Sequence, residues 1–135
     1  MTVLWLALAG VAGTLARYGV QVVAKPWGLG ATDGRGFPVA TLTVNLAGCL
    51  LFGVLWAAGS GRAMSDQTRL AVLVGFLGAF TTFSSFAFET VFLLERGRTG
   101  AAVANVIANN LGGLALCAGG IWLARTFLAG DPAEA

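Results

Sequence analysis

The chain has 135 residues, of which 57% are hydrophobic and only 10% charged, with a net charge of +2 and a mean hydropathy of +0.82. Soluble domains carry about 25% charged residues, so this composition excludes a soluble globular fold and points to an all-α integral membrane protein, one domain over residues 1–135. The charge is too small and scattered for a nucleic-acid partner, and there is no histidine for acid–base or metal chemistry.

A bilayer core of about 30 Å is crossed by about 20 apolar residues in helix. Residues 3–24 form the first such stretch, with Arg17 its only charge. It lacks a basic start and runs on too long for a cleavable signal peptide. Gly10 and Gly13, with Ala9 and Ala12, are small enough to let membrane helices approach closely. Arg17 has two readings: its long stem snorkels toward the Lys25 side, or it stands in a vestibule and attracts anions.

A turn-rich join over residues 25–36 leads to the second stretch, residues 38–59, which has no charge. Gly48 and Gly53 punctuate it. Asn45 lies near its middle, after Thr41 and Thr43, where an amide is costly unless paired. It is either an interhelical hydrogen bond worth about 1 kcal/mol or a donor aimed into a pore. Cys49 here and Cys117 in the fourth stretch are isolated in apolar runs, and read as buried packing residues rather than a disulfide or a thiolate metal site.

The third stretch, residues 70–94, is the most informative. Its segment 75–89, GFLGAFTTFSSFAFE, holds two glycines, two threonines, two serines and five phenylalanines, and ends on a carboxylate. Polar or broken helix is tolerated at membrane depth only where it faces protein or lines a water-filled path, so the segment reads as a permeation or binding element. Thr82, Ser85 and Glu89 fall at i, i+3 and i+7 and predict a polar stripe along a helix. Phe83 and Phe86 lie beside it. Such a pair is more often core, yet a phenyl ring has a positive edge that can meet an anion without holding it as a full charge would, and a conducted ion must bind weakly enough to leave. Glu89 is a proton carrier or a partner within the bundle. Residues 78–81 carry a modest signal for a helix break. A break there would free carbonyls that, from two chains, could coordinate a cation such as Na⁺.

After a charged join at residues 95–98, the fourth stretch covers residues 100–123. Asn105 and Asn109 are i, i+4 neighbours, with Asn110 following, and offer a second amide stripe. Gly112, Gly113, Gly119 and Gly120 predict close packing, and the density of small residues over all four stretches predicts a tight bundle that oligomerises. Trp5, Trp56 and Trp122 lie near span ends on one side and Trp27 on the other, as interfacial aromatics do. Residues 130–135 read as a short frayed tail.

Four spans put both termini on one side, with Arg62, Arg69 and Arg125. The other side has Lys25, Arg35, Arg96 and Arg98. Three against four is almost no bias for setting orientation. Either another factor fixes one orientation, or the chain has dual topology and an up copy pairs with a down copy.

Three motifs, GTLARY at residues 13–18, TLTVNLAGC at residues 41–49 and GFLGAFTTFSSF at residues 75–86, resemble those of the Fluc fluoride channels, also called CrcB proteins, and the resemblance covers nearly the whole chain. It implies four membrane helices with a break in the third, an antiparallel dual-topology dimer with two pores, and passive export of fluoride across the plasma or inner membrane. It also implies a structural Na⁺ held by the Gly78 and Thr81 carbonyls of both copies. By motif position, Asn45, Phe83, Phe86, Ser85 and Glu89 match the family's pore residues, with Thr82 in the same segment, and Arg17 its vestibule arginine. The fourth span departs from the family pattern of a tyrosine followed by serines at four-residue spacing: Asn105, Asn109 and Gly113 stand there. The amides keep hydrogen-bonding capacity at two positions, and Gly113 loses it.

Other classes fit less well. A small proton-coupled multidrug exporter would want an acid in its binding chamber, and the first span offers Arg17 instead. A membrane scaffold explains the glycines and leaves the polar stripes idle. An enzyme is least expected, with no histidine, no acid pair and no nucleophile–base set.

Overall fold

The computed structural model describes residues 1–27, 36–59 and 64–127. Arg35 and Arg62, which enter the loop-charge count, and the tail at residues 130–135 lie outside the described residues. Among those described, every regular element is helical. Helix α1 (Thr2–Ala24) runs into one 3₁₀ turn, Lys25–Trp27. Helix α2 spans Val39–Ala58. The third span is built from α3 (Asp66–Leu70), a π-helical segment Ala71–Phe76, α4 (Leu77–Phe80) and α5 (Phe83–Glu95). The fourth is built from α6 (Thr99–Ile107), a π-helical segment Ala108–Gly112 and α7 (Gly113–Phe127). Four helical runs, Thr2–Trp27, Val39–Ala58, Asp66–Glu95 and Thr99–Phe127, are long and apolar enough to cross a membrane.

The third run is longer than hydropathy alone predicts, because its ends are made by capping rather than by apolarity. Ser65 accepts a hydrogen bond from Thr68 N–H at 3.2 Å and starts α3 four residues before the apolar stretch. At the far end Gly97 takes φ +69°, and the Gly97 and Arg98 amides donate back to the Leu94 and Leu93 carbonyls, each at 2.9 Å. That left-handed turn is open to glycine at no steric cost, and it satisfies the last carbonyls of α5 while reversing the chain into α6. Arg98 then donates to Gly36 O at 2.8 Å, tying this turn to the start of α2. Toward the opposite ends of the spans, the Arg69 guanidinium lies 3.9 Å over the Trp56 ring.

Small residues set the helix register. A Cβ on Gly13 would overlap the Phe76 carbonyl, so α1 lies directly against the first half of the third span. A Cβ on Gly53 would overlap the Cys117 carbonyl, and one on Gly120 would crowd Leu50 O, which fixes α2 parallel to α7. These contacts are the close approaches that stabilise helix pairs in lipid, where apolar bulk alone supplies no drive to associate. The buried centre is Val44, Leu73, Leu77 and Phe80, flanked by Ala16, Val20 and Ala47. Much of the remaining apolar surface, Val11, Leu15 and Leu114 among it, is exposed on the single chain.

The Gly13 contact gives a matched test. Gly13→Ala forces backbone apart and should destabilise the protein by about 1–3 kcal/mol. Gly19→Ala, on the same helix with nothing near its would-be Cβ, should leave stability unchanged or slightly raised. Thermal unfolding in detergent compares the two.

Candidate functional site

The third span is not continuous. Helix α4 stops at Phe80. Thr81 (φ −83°, ψ 160°) and Thr82 (φ −151°, ψ 113°) are extended, and the helix resumes at Phe83. In an unbroken helix Thr82 N–H would donate to the Gly78 carbonyl and Ser85 N–H to that of Thr81. Neither does so. Thr82 N–H donates to Asn45 Oδ1 at 2.8 Å, and Asn45 Nδ2 donates to Thr82 O at 3.2 Å. One side-chain amide thus takes both backbone groups of Thr82, as a neighbouring strand would. Ser85 N–H donates to Thr82 Oγ1 at 3.2 Å, so Thr82 is the N-cap of α5, and its hydroxyl donates to Ser85 Oγ at 3.0 Å. On the other side of the break, Leu77 O accepts from both Thr81 N–H and Thr81 Oγ1, each at 3.0 Å. Thr81 O accepts a long 3.4 Å bond from Arg17 Nη1.

The predicted stripe of Thr82, Ser85 and Glu89 is therefore not a face of one helix. Thr82 is extended and caps, while Ser85 and Glu89 are helical. Arg17 points to the break rather than only toward the membrane surface. Glu89 accepts from Thr41 Oγ1 at 2.7 Å through Oε1, and its Oε2 is buried with no hydrogen-bond partner. Thr41, Asn45 and Gly48, at i, i+4 and i+7, share one face of α2. They meet Glu89, Thr82 and Thr81 in turn, since a Cβ on Gly48 would overlap the Thr81 methyl. Thr43 lies on the other face and is exposed.

Asn45 Nδ2 also donates to Asn109 Oδ1 at 2.9 Å. Asn109 Nδ2 donates to Asn105 O at 3.0 Å and to Asn105 Oδ1 at 2.9 Å. Asn105, with no exposed surface, donates to Thr90 Oγ1 at 2.9 Å. The two amides predicted on the fourth span are thus joined to Asn45 and to the third span. Asn110 is exposed at the edge of the cavity described below and bonds its own helix at Val106 O. The fold brings in two residues that sequence reasoning did not single out: Thr90, and Gly48 as the seat of Thr81. The i, i+4, i+7 spacing of Thr41, Asn45 and Gly48 was the available signal for the second.

A cavity of about 340 Å³ opens over the break, walled by Asn45, Thr81, Thr82, Phe83, Phe86 and Asn109, with Gly78 also on its surface. The Phe83 and Phe86 rings are 5.5 Å apart and inclined at 56°. Phe86 is buried, whereas Phe83 is 76% exposed. Ser85, Glu89, Asn105 and Arg17 stand behind this wall rather than on it. Cys49 and Cys117 are free thiols on the same wall, partly exposed rather than buried as expected, because the cavity lies along the seam of α2 and α7. Among the described residues no cluster of acids and cysteines could hold a metal. The Gly78 and Thr81 carbonyls at the break are without their helical N–H donors, which bond Asn45 and Thr82 Oγ1 instead.

The chain matches a family model described as CrcB-like protein, Camphor Resistance (CrcB), over residues 4–121. Among similar proteins is a "Fluoride-specific ion channel FluC" of Salinibacter ruber, 42% identical over 135 residues, covering 100% of this chain and 97% of that protein. Another of the same name, from Solidesulfovibrio magneticus, is 44% identical over 122 residues, 90% of this chain and 94% of that one. A third, from Geobacter sulfurreducens, is 43% identical over 122 residues, 90% of this chain and 91% of that one.

The Asn45 bonds generate a prediction of their own. Asn45→Leu keeps the side-chain bulk and strands the N–H and C=O of Thr82. At about 1–3 kcal/mol for each unpaired buried group, the variant should unfold at markedly lower denaturant than wild type, and Thr43→Val on the opposite face should not.

Proposed function

The chain belongs to the CrcB-like family, and on that footing we propose that it is a channel conducting fluoride passively across the plasma or inner membrane. It is a multi-pass membrane protein and not an enzyme. The observation that carries the reading is the cavity at the broken third span, which brings Asn45, Thr82 and Asn109 together with the Phe83 and Phe86 rings, in a chain that a fluoride-channel relative matches along its whole length. The exporter reading has no comparable support.

Fluoride is small and firmly hydrated, so a pore must replace its water with several moderate donors rather than one strong charge. Phe83 and Phe86 supply ring edges. Thr82 gives its hydroxyl proton to Ser85 Oγ and Asn109 gives both amide hydrogens to Asn105, so the polar proton left to offer is that of the Ser85 hydroxyl, which stands just behind the cavity wall. Both hydrogens of the Asn45 amide are already given to Thr82 O and Asn109 Oδ1, so its part is to hold the break at which the ion passes. Arg17 and Glu89 flank the path and set its field, and Asn105 supports it from behind.

The working unit is an antiparallel homodimer with two pores. Support comes from the nearly even loop charges and from Phe83, an exposed ring on the wall of a cavity that a single chain leaves open. A structural Na⁺ fits the Gly78 and Thr81 carbonyls. The first is released from its helical donor by Asn45 and the second has only the long Arg17 bond, the contact a cation would displace. Neutral carbonyls from two copies give a hard cation oxygen ligands without adding charge. Bound there, it would neutralise the carbonyl ends of two half-helices where the copies meet.

Liposomes loaded with fluoride and chloride, read with both electrodes, test the function. Wild type should release fluoride without a proton gradient and retain chloride. Comparable chloride release would overturn the reading. Phe83→Ile and Phe86→Ile keep apolar bulk and remove the ring edge, and each should slow fluoride release at least about tenfold, the loss of a contact worth about 1.4 kcal/mol, with assembly intact. For topology, Lys25→Cys in a background lacking Cys49 and Cys117 should label in part from each face of one membrane preparation. Labelling from a single face would exclude the antiparallel pair.

A further inference from the structure

We propose that Thr90, which lies off the cavity wall, is a positioning residue for conduction, acting through Asn105 and Asn109 to set the orientation of the Asn45 amide. The inference rests on the fluoride-conduction reading for one of its two readouts.

The donor direction of the side-chain chain is dictated by backbone groups, which cannot exchange roles. Thr82 N–H can only donate, so the Asn45 oxygen must face it and the Asn45 nitrogen must face Thr82 O and Asn109. Asn109 accordingly presents its oxygen to Asn45 and its nitrogen to Asn105, where it meets the Asn105 carbonyl, a group that can only accept. The same nitrogen donates to Asn105 Oδ1, which leaves the Asn105 nitrogen for Thr90 Oγ1. Thr90 receives that bond on its oxygen and passes its own proton to Phe86 O at 2.8 Å. The relay leaves the third span at Thr82, crosses the second and fourth spans, and returns to the third span at Phe86. It fixes the N-cap of α5 and the backbone of one cavity-wall ring with respect to each other.

Thr90 is the step at which the relay ends on a group of either polarity. Without its hydroxyl, Asn105 Nδ2 is buried and unpaired, in a residue with no exposed surface. The amide's cheapest escape is to turn over, toward the outer end of the helix or toward Asn109, and a turned Asn105 presents nitrogen to nitrogen at Asn109. The mismatch then travels to Asn45 and Thr82. A buried polar network that is only partly satisfied costs more than its separate bonds.

Valine and serine at this position separate hydrogen bonding from packing. Thr90→Val keeps the shape and removes the hydroxyl. Thr90→Ser keeps the hydroxyl and removes the methyl. The expected result is fluoride efflux near wild type for serine and slower by about tenfold or more for valine, both eluting as wild type by gel filtration. Valine conducting as wild type, or serine falling as far as valine, would overturn the proposal. A second measurement needs neither variant folding nor fluoride conduction. In ¹⁵N-asparagine-labelled wild-type protein, the side-chain amide protons of Asn45, Asn105 and Asn109 should exchange with solvent far more slowly than those of the exposed Asn110. Equal exchange for all four would dissolve the relay. Wild-type protein that passes no fluoride yet shows this protection would remove the functional reading and leave the relay standing.

Discussion

A backbone N–H or C=O left unpaired at membrane depth has no water to turn to. The third span is broken at Thr81 and Thr82, so the rest of the structure is arranged around how those groups are satisfied. Asn45 takes both backbone groups of Thr82, Thr82 takes the Ser85 amide, and Arg17 reaches the Thr81 carbonyl. The three sequence motifs converge on this one place. Gly13 lets α1 close on the third span so that Arg17, one turn on, lies at the break. Gly48 makes room for the Thr81 methyl one turn from Asn45. The glycines and the polar residues of the motifs are two halves of one device, close approach and backbone capping.

Breaking a helix has a chemical yield. The carbonyl end of one half-helix and the amide end of the next face each other inside the bundle, where dipoles are weakly screened. The break thereby presents carbonyl oxygens freed of their helical donors at one helix end and a positively poised amide end at the other. The tilted Phe83 and Phe86 rings add positive edges of similar modesty. Weak, multiple contacts are what rapid passage of a strongly hydrated ion requires. Phe86 is packed into the protein while Phe83 is left on the surface.

The four spans were legible because hydropathy over about 20 residues is a property of composition, insensitive to detail. Their ends were not, since Ser65 and Gly97 act through capping geometry that apolarity does not register. The break lies at Thr81–Thr82, at the far end of the 78–81 segment that carried the sequence signal. Glycine alone does not break a membrane helix, and the decisive group, Asn45, is 37 residues away in sequence. The same distance explains Asn45 itself. Of the two readings open in the sequence, the interhelical bond is the one seen: both amide hydrogens go to neighbouring spans, although the side chain also borders the cavity. Helical periodicity placed Thr82, Ser85 and Glu89 on one stripe, and it failed at the residue where the helix stops. Thr90 was invisible because its role depends on Asn105, fifteen residues on, being buried beside it.

The claim on which the rest depends is that one side-chain amide closes the broken helix. It is tested most directly by backbone amide hydrogen exchange across residues 77–86 in wild-type protein in lipid nanodiscs. Thr82 N–H has no partner in its own helix, yet with Asn45 as acceptor it should be protected as strongly as the amides inside α4 and α5. Exchange at Thr82 as fast as at a frayed helix end would contradict the Asn45 closure and everything built on it.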